Sequence, residues 1–258
     1  MDANTIFALA VFLVVLGLII SEKLHRTVAA LAGVCVILIF GVINMDQAIK
    51  HVDFNTLGVL IGMMIIVGIV RQTGVFEYLA IHTAKKVKGD PWKILLTFCA
   101  ITAILSAFLD NVTTVLLIVP MTIIITDILE LDPIPFLIPE VLASNIGGTA
   151  TLIGDPPNIM IGSQVGLTFT DFIIHLAPVI IVIFLATFAV LKIMYKKKLQ
   201  VSEDKKQEIM ALDENVCIKN PVLLKKCLLV LALVLLGFFI HAVLGFEPSL
   251  VALTGATL

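Results

Sequence analysis

Charged residues are scarce in this sequence, and their scarcity excludes whole classes of protein. Only 14% of the 258 residues are charged, whereas 60% are hydrophobic. A soluble domain carries roughly 25% charged residues, which keep its surface hydrated. The net charge of -2 also leaves no basic surface for nucleic acid. The composition predicts a membrane protein whose main partner is the lipid bilayer, with no nucleic-acid partner.

Cysteine is also rare. The four cysteines form no CxxC or Cys/His spacing, so neither a disulfide framework nor a cysteine-based metal site is expected. No cofactor is predicted beyond a coupling ion, sodium or a proton. The first residues lack the basic region of a secretory signal, and the first apolar run is therefore expected to stay as a transmembrane helix.

Long apolar runs are what the sequence has instead. One crossing of a hydrocarbon core about 30 Å thick needs roughly 17 to 25 apolar residues. Several runs have about this length, so the predicted fold class is all-α, a polytopic membrane protein. Spans are expected at residues 5–20, 27–45, 54–70, 172–191 and 227–246.

Lysine and arginine are distributed unevenly around these spans. If the N-terminus lies outside, sixteen of the 17 basic residues face the cytoplasm and Lys50 alone faces outward. Because cytoplasmic loops retain basic residues, this predicts a multi-pass protein of the plasma membrane with its N-terminus outside. The run Lys196, Lys197 and Lys198 is expected to anchor the chain at anionic headgroups.

Asp110 is the only charge in residues 94–126. The apolar arm on each side, as a helix, reaches about 24 Å, which is less than a full crossing. The segment therefore predicts a re-entrant hairpin with Asp110 at its polar tip. Two tightly joined spans with Asp110 in an external loop have the same parity, so that alternative stays open.

A second polar segment interrupts residues 136–170. It contains adjacent glycines, a third glycine and a Pro-Pro pair, and these residues predict that helix is lost from about Asn145 to Asn158. Non-helical backbone at membrane depth occurs only where protein or a water-filled cavity satisfies it. A loop at the membrane surface is the alternative.

The two motifs predict one shared site, because lipid cannot satisfy their polar groups. Their oxygens suit sodium or a polar substrate, and free N–H groups after Pro157 would suit an anion. Sodium is expected at Asn111, Asn145 and Thr149. The candidate substrate and ion ligands are Asp110, Asn111, Thr113, Thr114, Ser144, Asn145, Gly147, Gly148, Thr149, Thr151, Asp155 and Asn158.

The end of the chain resembles its beginning: residues 235–240 match 15–20, and 249–255 match 27–33. With the orientation above, the two copies are inverted, as in secondary transporters. Chance similarity between Leu-rich and Val-rich spans is the alternative. The predicted divisions are a first repeat at 1–195 (scaffold helices 1–71, interfacial helix 72–93, re-entrant hairpin 94–126, broken helix 136–170, closing helix 172–195), a cytoplasmic connector at 196–226 and the start of a truncated second repeat at 227–258.

These motifs carry a family resemblance. NIGGTATLIGDPPN at 145–158, preceded by DNVTT at 110–114, resembles the arsenite permease and melanosomal P protein branch of the ion transporter superfamily. That superfamily includes sodium/proton antiporters and citrate and dicarboxylate carriers. The resemblance implies two inverted repeats, each with a re-entrant hairpin and a broken helix, and makes the residues above one half of the site.

The resemblance also implies a function. We expect a secondary active transporter that moves a small ion or an oxyanion, such as arsenite or antimonite, or exchanges sodium for protons, by alternating access. A sodium-coupled dicarboxylate or citrate carrier is the alternative. A homodimer is implied, as is an energising ATPase subunit in the case of an arsenite pump.

Other functions fit less well. An intramembrane aspartyl protease also uses membrane-embedded aspartates, but its Gly-x-Gly-Asp signature needs glycine where Leu152 stands, so no enzyme is predicted. An ion channel stays open, because selectivity filters also use backbone carbonyls. Glu140 is expected to mark the cytoplasmic interface, and His175 and His241 to be hydrogen-bonded within the bundle.

Overall fold

The computed structural model describes residues 2–195 and 199–258, and within them the chain is helical with no strand. This confirms the all-α prediction. The α-helices are α1 (Ala3–Ile20), α2 (Arg26–Ile39), α3 (Met45–Lys50), α4 (Phe54–Gln72), α5 (Val75–Lys86), α6 (Pro91–Phe108), α7 (Asn111–Ile128), α8 (Ile134–Gly148), α9 (Pro156–Val165), α10 (Phe169–Tyr195), α11 (Glu203–Ala211), α12 (Pro221–Leu244) and α13 (Pro248–Thr257).

Among the described residues, six helices are long and apolar enough to cross a membrane: α1, α4, α6, α7, α10 and α12. Their number confirms the prediction of a polytopic membrane protein. Helices α6 and α7 have 18 residues each, about 27 Å at 1.5 Å per residue. Because this length is close to a full crossing, the re-entrant path of the hairpin stays a prediction.

The first compact unit ends at Asp53 and contains α1 to α3. Helix α2 approaches α1 closely at Gly33, where a Cβ would lie 2.5 Å from a methyl carbon of Val15. Small residues allow such close approach between membrane helices.

The span predicted at residues 27–45 is shorter in the structure, because α2 ends at Ile39. Gly41 follows with a left-handed φ of 67°, a conformation that glycine adopts without strain. Asn44 then caps α3: Gln47 N donates to Asn44 Oδ1 at 2.8 Å, and Asn44 N donates to Gln47 Oε1 at 3.0 Å. This capping box starts a new helix inside the predicted span.

The second unit, Phe54–Leu258, contains the remaining helices and two apolar cores. One core lies between α4, α9, α12 and α13. Helix α13 packs closely on α4 at Gly62, where an added Cβ would lie 2.6 Å from the backbone of α13. The other joins α5, α6, α8 and α11. Fully buried members of the two cores are Val59, Ile159, Phe169, Phe238 and Ala252 in the first, and Ala84, Ile94, Leu95, Phe136 and Ile209 in the second.

The charged segment predicted as a connector has defined structure. It contains α11 and a short 3-10 helix, Glu214–Cys217. Helix α12 begins at Pro221, six residues before the predicted start at Cys227, because Asn220 Oδ1 caps it by accepting from Leu223 N at 2.9 Å. The predicted anchor at Lys196, Lys197 and Lys198 lies outside the described residues.

This segment packs against α5. The ammonium of Lys85 pairs with the Glu214 carboxylate and donates to the Leu212 carbonyl at 2.8 Å. Lys219 N donates to the Thr73 carbonyl at 3.0 Å. The segment is therefore docked on the helical core rather than extended in solvent.

Candidate functional site

The turn between α6 and α7 places Asp110 at the start of a helix. Helix α6 ends at Phe108, and Leu109 is extended. The side-chain carboxylate of Asp110 accepts from Thr113 N at 2.8 Å, and the main-chain carbonyl of Asp110 accepts from Thr114 Oγ1 at 2.9 Å. The chain reverses at Asp110 as predicted, because a capping carboxylate starts α7 directly after α6 ends.

The break in the second motif is narrower than predicted. Helix α8 continues to Gly148, and α9 begins at Pro156, so helix is lost only over residues 149–155. The expectation that helix ends near Asn145 was wrong, because a glycine pair weakens a helix without ending it. The proline pair occupies the first turn of α9, where a missing N–H costs nothing.

The glycines instead allow backbones to touch. A Cβ on Gly147 would lie 2.5 Å from Ala103 Cα of α6. A Cβ on Gly154 would lie 2.5 Å from the Ser106 carbonyl oxygen. Real Cβ atoms essentially never come this close. Positions 147 and 154 must therefore be glycine for the end of α8 and the loop after it to pack against α6.

Several predicted ligands hold the loop together. Asn158 Nδ2 donates to the carbonyls of Thr149 and Thr151 at 3.2 and 2.9 Å. Thr151 Oγ1 donates to the Ala107 carbonyl and accepts from Gly154 N. Thr149 Oγ1 donates to the Asn145 carbonyl at 2.8 Å. These groups satisfy non-helical backbone that lipid cannot satisfy.

The two motifs meet at Asn111. Its side-chain amide donates to Asn145 Oδ1 at 3.1 Å and to Asp155 Oδ1 at 3.3 Å. The main-chain carbonyl of Asn111 accepts from Ser144 Oγ at 2.9 Å. Asn111 is thus in contact with residues that lie 34 and 44 positions further along the sequence, as the prediction of a shared site required.

The predicted site residues fall into two groups. Asn111, Ser144, Asn145 and Asp155 form the shared cluster, in which Asn145 is exposed and Asp155 half-buried. The sequence predicts Asn111 or Thr114 close to the 145–149 loop, and Asn111 makes this contact, whereas Thr114 Oγ1 donates to the Asp110 carbonyl. The remaining predicted residues cap helices, satisfy the loop or allow close packing: Asp110, Thr113, Thr114, Gly147, Gly148, Thr149, Thr151 and Asn158.

Sequence reasoning missed Ser106. Its hydroxyl is fully buried, donates to the Ser144 carbonyl at 2.7 Å and lies 3.2 Å from Ser144 Oγ. Its position one turn before Asp110, as the only serine of α6, was the available signal. Ser106 therefore joins α6 of the hairpin to α8 at Ser144, a member of the cluster.

Charge at the cluster is negative. From Ile94 to Leu191 the chain contains no Lys or Arg and seven acidic residues. The expectation of free N–H groups after Pro157 was wrong: the first two residues of α9 are prolines, and Asn158 N already donates to the Asp155 carbonyl at 2.9 Å. The cluster therefore suits a cation better than an anion.

No group of three or more His, Cys, Asp or Glu side chains with metal-binding geometry occurs in the described part of the chain. The predicted sodium ligands do lie together: Asn111 contacts Asn145, whose carbonyl accepts from Thr149. Sodium binding by them stays a prediction.

Known proteins resemble this chain over nearly its full length. The citrate transporter family, CitMHS, matches residues 16–258. An uncharacterized transporter of Mycobacterium bovis is 45% identical over 256 residues, 98% of this chain and 59% of the relative. The 46 kDa membrane protein of Mycobacterium leprae is 44% identical over 256 residues, 98% of this chain and 60% of the relative.

A more distant match supports the resemblance found in the motifs. The P protein of Homo sapiens is 42% identical over 204 residues, 75% of this chain and 24% of the relative. The chain spans 59% to 60% of the length of the two mycobacterial relatives. The P protein resemblance is confirmed, whereas the arsenite permease branch stays a prediction. The chain belongs to the citrate transporter family, whose members are membrane transporters rather than enzymes.

Proposed function

We propose that this chain supplies one half of the binding site of a cation-coupled secondary active transporter, which moves a small ion by alternating access. One observation carries the proposal: the Asn111 amide bridges Asn145 and Asp155 at the meeting point of the hairpin and the broken helix. Secondary transporters bind substrate and coupling ion where interrupted helices meet near the midplane.

Electrostatics favour a cation at this point. Helix α8 ends at the cluster, and the C-terminal end of a helix carries partial negative charge. The carboxylate of Asp155 adds a full charge nearby, and no Lys or Arg lies between Ile94 and Leu191. Amide, hydroxyl and carboxylate oxygens are ligands suited to sodium, and Asn111, Asn145 and Thr149 are the proposed set.

Asp155 is the proposed coupling residue. It is half-buried, and its carboxylate accepts one hydrogen bond from Asn111. A proton and a sodium ion would compete for this carboxylate, because protonation removes the charge that attracts sodium. Loading one ion would therefore displace the other, which is the requirement for exchange.

The transported species has two candidates. The citrate transporter description of the family supports a small organic carboxylate that is carried together with sodium. Exchange of sodium for protons needs only the cation site. An arsenite or antimonite carrier, or an ion channel, is supported only by the wider resemblance of the motifs and by the general use of backbone carbonyls in filters.

The surroundings of the transporter follow from the charge pattern. We propose a plasma-membrane location with the N-terminus outside, which places the docked connector in the cytoplasm. A homodimer remains part of the proposal, as does an ATPase subunit if the substrate is arsenite.

A flux assay on the complete protein in proteoliposomes tests the function. Citrate, a dicarboxylate, arsenite and sodium are each supplied with a sodium gradient, a proton gradient or neither. We expect concentrative uptake or extrusion that needs one of the two gradients. Gradient-independent equilibration of several ions would indicate a channel and contradict the proposal.

The variant Asp155→Asn isolates the coupling residue, because it keeps the size of the side chain and removes its charge. We expect normal membrane insertion and a loss of coupled flux of about tenfold or more, the cost of one charge-assisted interaction. Asp127→Asn, an exposed acid on α7, is the matched control and should transport normally. Wild-type flux with unchanged pH dependence in Asp155→Asn would refute the coupling role.

A further inference from the structure

Glu140 is a buried acid that the site above does not use. The sequence predicted it at the membrane interface, but in α8 it is only 1% exposed. Its Oε1 accepts from Thr122 Oγ1 of α7 at 2.7 Å. Its Oε2 is buried with no hydrogen-bond partner, and no ion pair reaches Glu140 within the described ranges.

Within the described part of the chain, the groups around Glu140 offer no compensating charge. Helices α6, α7 and α10 pack against α8. On α6, the fully buried thiol of Cys99 is within electrostatic range of Glu140. Thr102, one turn further on, has a buried hydroxyl that, like Glu140 Oε2, has no hydrogen-bond partner. The other titratable groups of these helices are exposed or lie at helix ends: Lys93, Asp127, Asp171, His175, Lys192 and Tyr195.

Glu140 and Ser144 lie one helical turn apart on the buried face of α8. Ser144 Oγ donates to the Asn111 carbonyl, and Ser106 bonds to the Ser144 carbonyl. Ser144 contacts Ser106 of α6, and Thr151, in the loop after α8, contacts Ala107 one residue further along α6. Glu140 is therefore connected to the Asn111 cluster through one turn of α8.

We propose that Glu140 holds an exchangeable proton of the transport cycle, at a position separate from the cation-binding cluster. A carboxylate buried without a cation is costly, whereas a neutral carboxylic acid carries no charge that burial must offset. Thr122 supplies the donor to Oε1, which leaves the proton to Oε2. Acids inside membrane bundles commonly mark proton pathways. This inference rests on the proposed function, because it adds a second proton-holding acid to Asp155.

Infrared difference spectroscopy tests the proposal without any transport measurement. The complete protein in lipid is titrated with acid, and the carbonyl stretch of a neutral carboxylic acid is followed in water and in heavy water. We expect an acid band that shifts in heavy water and is lost in Glu140→Gln. Asp127→Asn serves as the control and should keep the band. An unchanged band in Glu140→Gln would overturn the proposal.

A second variant keeps the acid in place, which guards against misfolding of Glu140→Gln. Thr122→Val removes the hydroxyl that donates to Glu140, so the acid band should move to a new frequency. No shift in this variant would show that the band comes from another acid and would likewise overturn the proposal. If the spectra behave as expected but proton-coupled flux is absent, the failure belongs to the proposed function and not to the proton site.

Discussion

Gly147 sets the distance between the hairpin and the broken helix. Its Cα faces the backbone of Ala103 so closely that a Cβ would lie 2.5 Å from Ala103 Cα. Backbone atoms cannot move aside as the end of a flexible side chain does. The hydrogen bonds from Ser106 to Ser144 and from Asn111 to Asn145 depend on this close approach.

We expect Gly147→Ala to destabilise the protein by about 1–3 kcal/mol, the usual cost of forcing extra atoms into a packed interface. Gly68→Ala is the matched control, because a Cβ at Gly68 in α4 meets nothing within 4 Å. The control should be neutral or more stable by up to about 1 kcal/mol. Thermal melting of the complete protein in detergent measures both, and a Gly147→Ala melting temperature equal to wild type would contradict the packing role.

The sequence could predict a site residue only where the reason for its role lies in its own segment of the chain. Asn111, Asn145 and Asp155 stood out because polar groups in an apolar run must find partners. Ser106 and Glu140 did not stand out, since their roles arise from neighbours on other helices. The pairs Ser106–Ser144 and Thr122–Glu140 join α8 to two different helices, and only the packed structure shows such contacts.

The positions of the long helices were predictable from the sequence, whereas several helix ends were not. Apolar length was enough to predict α1, α4, α6, α7, α10 and α12. The early end of α2, the late end of α8 and the early start of α12 were not predicted. Each depends on local capping or glycine packing, which apolar length does not report.

The docked connector has a long-range contact that charge patterning does not show. The sequence predicts a cytoplasmic connector at 196–226, and in the structure Glu214 of this segment reaches Lys85, 129 residues away. The hydrogen bond from the Lys85 ammonium lowers the pKa of Glu214 below its ordinary value of 4.5. A lowered carboxyl pKa means that the ion pair stabilises docking fully above pH 4.5 and loses this effect as the pH falls through the lowered value.

We therefore predict that acidification below pH 4.5 loosens the connector from α5. Hydrogen exchange of residues 203–217, corrected for intrinsic rates, should rise over that pH range in the wild type. In Glu214→Gln, exchange should already be raised at neutral pH and should respond less to acid. Glu208→Gln, which removes only a local pair with Lys205, is the control. Wild-type protection in Glu214→Gln would show that other contacts dock the connector.

At the scale of the whole molecule, the internal repeat has a packing counterpart. Gly33 of α2 packs against Val15 of α1, and the matching Gly255 of α13 packs against Val234 of α12. Each helix pair uses a glycine at the equivalent position of the repeat. This similarity supports the predicted repeat, and an inverted second copy would supply the other half of the ion site.

The central claim is that the hairpin and the broken helix jointly bind a cation. Equilibrium sodium binding by the complete protein, measured for Asn111→Ala, Asn145→Ala and the double variant, tests it most directly. Asn215→Ala, which changes an exposed side chain of the docked connector, is the control. Each single site variant should weaken binding, and the double variant should lose less than the sum of the two, with a coupling of about 0.5–3 kcal/mol. Sodium affinity that is unchanged in the single variants, or strictly additive losses, would contradict a shared site.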